Sequence, residues 1–210
     1  MKIPAHIDHL IYTASSLEQG MDNIEELLGV KPAIGGIHPQ YGTCNALVAL
    51  GPTAYLEIIA PNPDLPEPAA GVLFEEFFRR TPSLSRWVIR DASIDSLVSE
   101  AKKNGYEMGE VSSGSRETPE GKQLSWRLSD PYKVPLDGAI PFIIDWGQTP
   151  HPSTSIPLGG QLVGFHIEHP NPEEVYQWLK IIGVDVSVKK SPHIKLVAQI
   201  ETPDGVVELF

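Results

Sequence analysis

One local order recurs along this 210-residue chain: a strand, a capping residue, a short amphipathic helix, a glycine. A recurring unit limits the fold more than composition does, because each copy exposes an apolar face that another element must cover. In the first copy Ile7 to Thr13 has strand character, and Ser15 and Ser16 cap a helix. Met21, Ile24, Leu27 and Leu28 then fall at helical spacing before Gly29. In the second, Arg86 to Arg90 is the strand and Ser93 the cap. Ile94, Leu97, Val98 and Ala101 form the apolar stripe, and Asn104-Gly105 the stop. In the third, Leu162 to Glu168 is the strand and Asn171 the cap, with Pro172 at the first helical position and Glu174 completing a capping box. Val175, Trp178, Leu179 and Ile182 precede Gly183.

Strand-length apolar pieces separated by turn residues follow each glycine. They are Asn45 to Leu50 and Tyr55 to Ala60 in the first unit, Gln123 to Leu128 and Ile140 to Trp146 in the second, and Ile194 to Ile200 and Val206 to Phe210 in the third. Each unit is therefore expected to be β-α-β-β-β, and the fold class α+β. Proline-rich spacers, Pro61 to Gly71 and Gly147 to Gly160, separate the units. Val72 to Arg80 is expected to be a short helix whose Leu73, Phe74, Phe77 and Phe78 serve packing.

Composition removes several function classes. With 41% apolar residues the chain can bury a core without staples, and the single cysteine, Cys44, rules out an intrachain disulfide. The N-terminus lacks an apolar signal region and no window approaches the roughly 18 apolar residues of a membrane helix, so a cytoplasmic protein is expected. Lys and Arg total 16 against 27 Asp and Glu, and the formal charge of −11 repels phosphate backbones. The one compact basic cluster, Lys189, Lys190 and Lys195, fits a solvated strand edge. Nucleic acid and membrane are excluded as expected partners.

Two residues stand out chemically. His9 shares strand parity with Ile7 and Ile11, so its imidazole points where apolar groups point. Glu57 lies in Ala-Tyr-Leu-Glu-Ile-Ile-Ala, apolar on both faces, where an unpaired carboxylate costs several kcal/mol. It needs a partner. Val206-Val207-Glu208-Leu209-Phe210 repeats the arrangement with a second carboxylate, Glu208. Histidine and glutamate on separate strands suit a divalent first-row metal with positions left open for substrate oxygens.

His9 in Asp-His-Leu-Ile-Tyr and Glu57 in Tyr-Leu-Glu-Ile-Ile resemble the opening module of the vicinal oxygen chelate superfamily. Gly35-Gly36-Ile37-His38-Pro39, Gly42-Thr43-Cys44-Asn45, Ser115-Arg116, Trp126-Arg127, Pro141 to Trp146 and His151-Pro152 are together similar to its glyoxalase-like domain family. The resemblance runs from about residue 5 to 152. It implies paired modules, about 4–60 and 84–147, curled into a half-open barrel within a domain of residues 1–152, to which the repeat adds 160–210 as a third module. It also implies a divalent ion (Mn, Fe, Zn or Ni) held by His and Glu inside the barrel and chelating adjacent oxygens of a small oxygenated metabolite.

His9 and Glu57 match the first module's ligand positions, whereas the second module offers Arg86 or Trp87 and, near its closing strand, Asp145. Glu208, with Gly164 or His166, is the third module's contribution to the expected metal set. Glu57 and His38 are the expected catalytic groups, His38 serving either as acid or base or in turn chemistry. Asn45, Arg116, Trp126 and Asp145 are the expected substrate contacts. Trp126 and Trp146 either wall a cleft or fill core. The rival expectation is a metal-free barrel that sequesters a small ligand, and pairing of the third module between two copies would make a homodimer.

Overall fold

The computed structural model describes residues 7–68, 71–118, 121–133 and 135–210. The first unit comprises β1 (Ile7–Thr13), α1 (Leu17–Leu28), β2 (Ala33–His38), β3 (Thr43–Ala49) and β4 (Tyr55–Pro61). After α2 (Glu75–Phe78), the second comprises β5 (Ser83–Arg90), α3 (Ile94–Lys103), β6 (Ser112–Glu117), β7 (Gln123–Leu128) and β8 (Phe142–Asp145). The third comprises β9 (Gln161–His169), α4 (Pro172–Ile181), β10 (Ser187–Lys190), β11 (Lys195–Thr202) and β12 (Gly205–Leu209).

Ser16 accepts the Gln19 N–H at the start of α1, and Gly29, at φ 70°, closes that helix. The other two caps differ from expectation, since neither Ser93 nor Asn171 makes a side-chain cap bond. The segment after the first spacer forms only one helical turn, α2, which Phe74 enters in the left-handed region.

The first two units form one eight-stranded sheet, ordered β2-β3-β4-β1-β5-β8-β7-β6. Within each unit the first strand runs parallel to the last, β1 with β4 and β5 with β8, and β1 joins the units by pairing antiparallel to β5. The sheet curls until its outer strands meet: Arg116 on β6 donates to the Gly35 carbonyl on β2 at 2.7 Å. A Cβ at Gly36 would stand 3.0 Å from the Glu117 carbonyl, so the near-closure requires a residue without a side chain there. The result is a nearly closed barrel.

The third unit keeps the element order but not the strand order. Its sheet runs β10-β9-β11-β12, with β9 parallel to β10 and antiparallel to β11, so its opening strand is internal where β1 and β5 pair with their closing strands. This sheet covers the outer face of the barrel. Phe165, Ile167, Leu196 and Ile200 share one core with Leu10, Trp87, Ile89 and Ile143. The Trp87 and Phe165 rings stand 5.0 Å apart, and those of Tyr106 and Trp178 4.0 Å apart. A barrel covered outside and lined inside explains why β4 is apolar on both faces around its single Glu57. Among the described residues no helix is long and apolar enough to cross a membrane.

Candidate functional site

Parity along β1 is broken once. The pairing register with β5 shifts between Ile7 and His9, so Ile7 joins the outer core while His9 and Ile11 face the barrel interior. That interior holds a cavity of about 60 Å³ lined by His9, Glu57, Asn45, His38 and Arg116 on its polar side and by Trp126, Trp146, Phe142, Phe74 and Leu73 on its apolar side. At the roughly 10–15 Å³ of free space a water needs, it has room for about four to six waters.

A polar seam crosses the first unit's half of the cavity. Asn45 Nδ2 donates to Glu57 Oε1 at 2.6 Å, and Glu57 Oε2 stands 3.5 Å from His9 Nε2. His9 Nδ1 lies 2.7 Å from Asp8 Oδ1, and Tyr55 stacks on the imidazole with centroids 4.6 Å apart. Asp8 is fully buried and also meets Trp146 Nε1 at 3.0 Å, His151 Nε2 at 3.1 Å and Arg90 at 3.5 Å. Burial works against its charge, but the bonds from His151 and His9 outweigh burial and hold the carboxyl well below the usual range. An ionised Asp8 only accepts, so His9 carries its proton on Nδ1 and turns Nε2 toward Glu57. Asn45 Oδ1 is buried with no partner, against Gly35, where a Cβ would come within 2.3 Å of it.

His38 closes β2, buried, with Nδ1 3.1 Å from Thr43 Oγ1. Burial pushes its pKa down, Glu57 opposes that shift and Arg116 adds to it, so the imidazole is neutral near pH 7. Burial likewise pushes the Tyr55 phenol well up.

The structure brings His9, Glu57, Asn45, His38, Arg116 and Trp126 together around one cavity and leaves out two expected residues. Asp145 shares parity with Ile143, opposite the cavity-facing Phe142 and Ile144, and its carboxylate accepts the Gly147 N–H at 2.9 Å. Glu208 is exposed on β12 and bound by the Gln199 amide at 3.0 Å. β12 is the edge strand of its sheet, and Glu208 lies on its exposed face rather than against a buried partner. His166 also sits in the second sheet, 3.0 Å from Lys189 Nζ, and no residue of the third unit lines the cavity.

The donor set does not fit a four-ligand metal centre. On β5 and β8, the second unit's counterparts of β1 and β4, the interior positions carry Arg86, Val88, Phe142 and Ile144, a cation and three groups without a donor. Arg86 is itself taken up between the Phe74 and Phe77 rings. His9 and Glu57 therefore stand as a pair, and the described residues contain no group of three or more His, Cys, Asp and Glu able to hold an ion. Sequence reasoning passed over Asp8, which holds His9, and His151, which holds Asp8. The Asp-His pair on an apolar strand was the available signal for Asp8; none in the sequence joined it to His151, 143 positions away.

Residues 7–183 match the family model described as a glyoxalase-like domain. No curated protein sequence matches the chain. Among solved structures, a hypothetical protein from Staphylococcus aureus aligns over 96% of this chain and 84% of its own, with TM-score 0.63 and 17% identity. Methylmalonyl-CoA epimerase from Mycobacterium tuberculosis aligns over 69% of this chain and 89% of its own, with TM-score 0.44 and 18% identity. A variant of the Streptomyces coelicolor epimerase in complex with 2-nitronate-propionyl-CoA aligns over 68% and 98%, with TM-score 0.45 and 14% identity. At these identities the likeness is one of fold.

Proposed function

Because this chain belongs to the glyoxalase-like domain family, built on the vicinal oxygen chelate barrel, we propose that its cavity is the active site of an enzyme acting on a small oxygenated molecule. Glu57 takes and returns the proton. The observation that carries this reading is the carboxylate itself, 9% exposed, lining the cavity and held by Asn45 on one oxygen and flanked by His9 on the other. A carboxylate oriented before substrate arrives spends no binding energy on reorganisation.

In this reading Glu57 removes a proton from a carbon next to a carbonyl. His9 Nε2, steadied through Nδ1 by Asp8, shares that proton until it returns. Neutral His38 supplies a second group able to give or accept a proton at the substrate oxygen. Proton NMR in D2O with a panel of small carbonyl compounds tests it. Solvent deuterium enters a substrate carbon with the native chain, and Glu57→Gln slows entry about 10²- to 10⁴-fold. Equal exchange by the two chains sinks the reading. A second reading, a binding protein without chemistry, draws support from the donor-free Val88, Phe142 and Ile144, and predicts binding of a panel member with no exchange by either chain.

A further inference from the structure

The polar side of the cavity holds one carboxylate, Glu57, and one guanidinium, with a second carboxylate, Asp8, buried behind His9, and the three charges are met very differently. Asp8 has four donors around it, and Glu57 has Asn45 and His9. Arg116, only 8% exposed, donates to the Gly35 carbonyl and makes no other hydrogen bond among the described residues. Arg79, Arg86, Arg90 and Arg127 each have a carboxylate within 4.0 Å; Arg116 has none among the described residues. Burying a cation without a counter-charge is unfavourable by several kcal/mol unless an anion completes the site.

The backbone has been cleared for this side chain. Gly36 lies so close that a Cβ would stand 3.2 Å from an Arg116 terminal nitrogen, so β2 keeps the guanidinium at the cavity wall. Trp126, Trp146 and Phe142 line the same cavity, Trp126 from the strand paired with that of Arg116. A ligand that fits both sides has a planar anion at one end and a short apolar body at the other. Guanidinium forks match carboxylates bidentately, and the space for about four to six waters limits the enclosed part to a similar number of heavy atoms.

We propose that Arg116 is the carboxylate anchor of the cavity and that the molecule bound there is a short-chain carboxylic acid with an apolar body lying against Trp126 and Trp146. This rests on the cavity being the substrate site of the proposed enzyme. The anchor fixes the acid while Glu57, in the same cavity, meets a carbon next to a ketone or aldehyde carbonyl of that molecule, as the methyl of pyruvate is.

Isothermal titration of the full chain at low salt with isobutyrate and pyruvate, against isobutyramide and pyruvamide, tests the anchor. The acids are expected to bind about 10- to 100-fold more tightly than their amides. Arg116→Gln removes that preference, and Arg116→Lys, which keeps the charge without the fork, retains part of it. Equal binding of acid and amide, absence of binding by either acid, or an unchanged preference in Arg116→Gln overturns the proposal. Should Arg116→Gln fail to fold, because it loses the link from β6 to β2, the native acid-to-amide ratio and Arg116→Lys decide. Glu57→Gln separates the two readings. It is expected to bind the acids at least as well as the native chain, since a like charge is gone, and to lose exchange. Retained exchange with retained acid preference refutes the role of Glu57 and leaves the anchor standing.

Discussion

Asp8→Asn replaces one oxygen of the most buried charge in the site with an N–H2 group of the same shape. Oδ1 meets His9 Nδ1, while Oδ2 meets Trp146, His151 and Arg90. An amide nitrogen in the Oδ2 position would face three donors, so the asparagine settles with its oxygen there and its N–H2 toward His9. That orientation removes the anion from His151 and Arg90 and obliges His9 Nδ1 to accept, moving the histidine proton to Nε2 beside Glu57. Breaking a buried charge set by removing one partner costs about 3–5 kcal/mol. At about 2–4 °C per kcal/mol for a chain of this size, the midpoint falls by about 6–20 °C.

The loss depends on pH in a defined direction. Asp8's folded pKa lies below its unfolded value of about 3.9, so the folded state binds this proton more weakly. Its contribution is complete above that unfolded value and disappears as pH falls through the lower, folded one. Urea denaturation of the two chains at stepped pH is the assay. The stability gap should be level from neutral pH down to about 5 and should narrow below about 4. A gap under about 1 kcal/mol at neutral pH, or one that widens in acid, would refute the role assigned to Asp8.

Three further outcomes follow from particular contacts. Gly35→Ala places a Cβ 2.3 Å from Asn45 Oδ1, and is expected to cost about 1–3 kcal/mol and to swing the amide off Glu57; a crystal structure of the variant with the 2.6 Å bond intact would contradict this. Phe165→Ala opens a cavity behind Trp87 where the second sheet covers the barrel, and should lower stability in urea by about 3–5 kcal/mol while leaving the acid-to-amide ratio unchanged. Elemental analysis after loading with Mn, Fe, Zn or Ni and extensive dialysis should find far less than stoichiometric metal, because among the described residues no three His, Cys, Asp or Glu side chains are placed to hold one ion; stoichiometric retention that His9→Ala abolishes would show that outer ligands complete the centre.

The strands and helices were legible because they are local. Apolar spacing marks α1 from Met21 to Leu28, and the chain turns at Gly29 because its φ of 70° suits a residue without a Cβ. His9 and Glu57 were legible because a polar group amid apolar strand residues needs a partner wherever the strand lies. The same signal misplaced Glu208: a carboxylate between apolar residues looks alike on a buried closing strand and on an exposed sheet edge. Asp145 was misplaced by a single step of parity, which in a strand exchanges one face for the other.

By itself, then, the sequence determined three units of the same element order, a net charge of −11, and a histidine and glutamate destined for the interior. Strand pairing decided the rest. It made true copies of the first two units and turned the third into a cover, because the order in which strands hydrogen-bond depends on contacts between distant segments. It also drew Asp8, His151 and Trp146 into one hub and set Arg116 on a cavity wall with no carboxylate beside it among the described residues. Such electrostatic balance is a property of neighbours in space, which residue spacing does not encode.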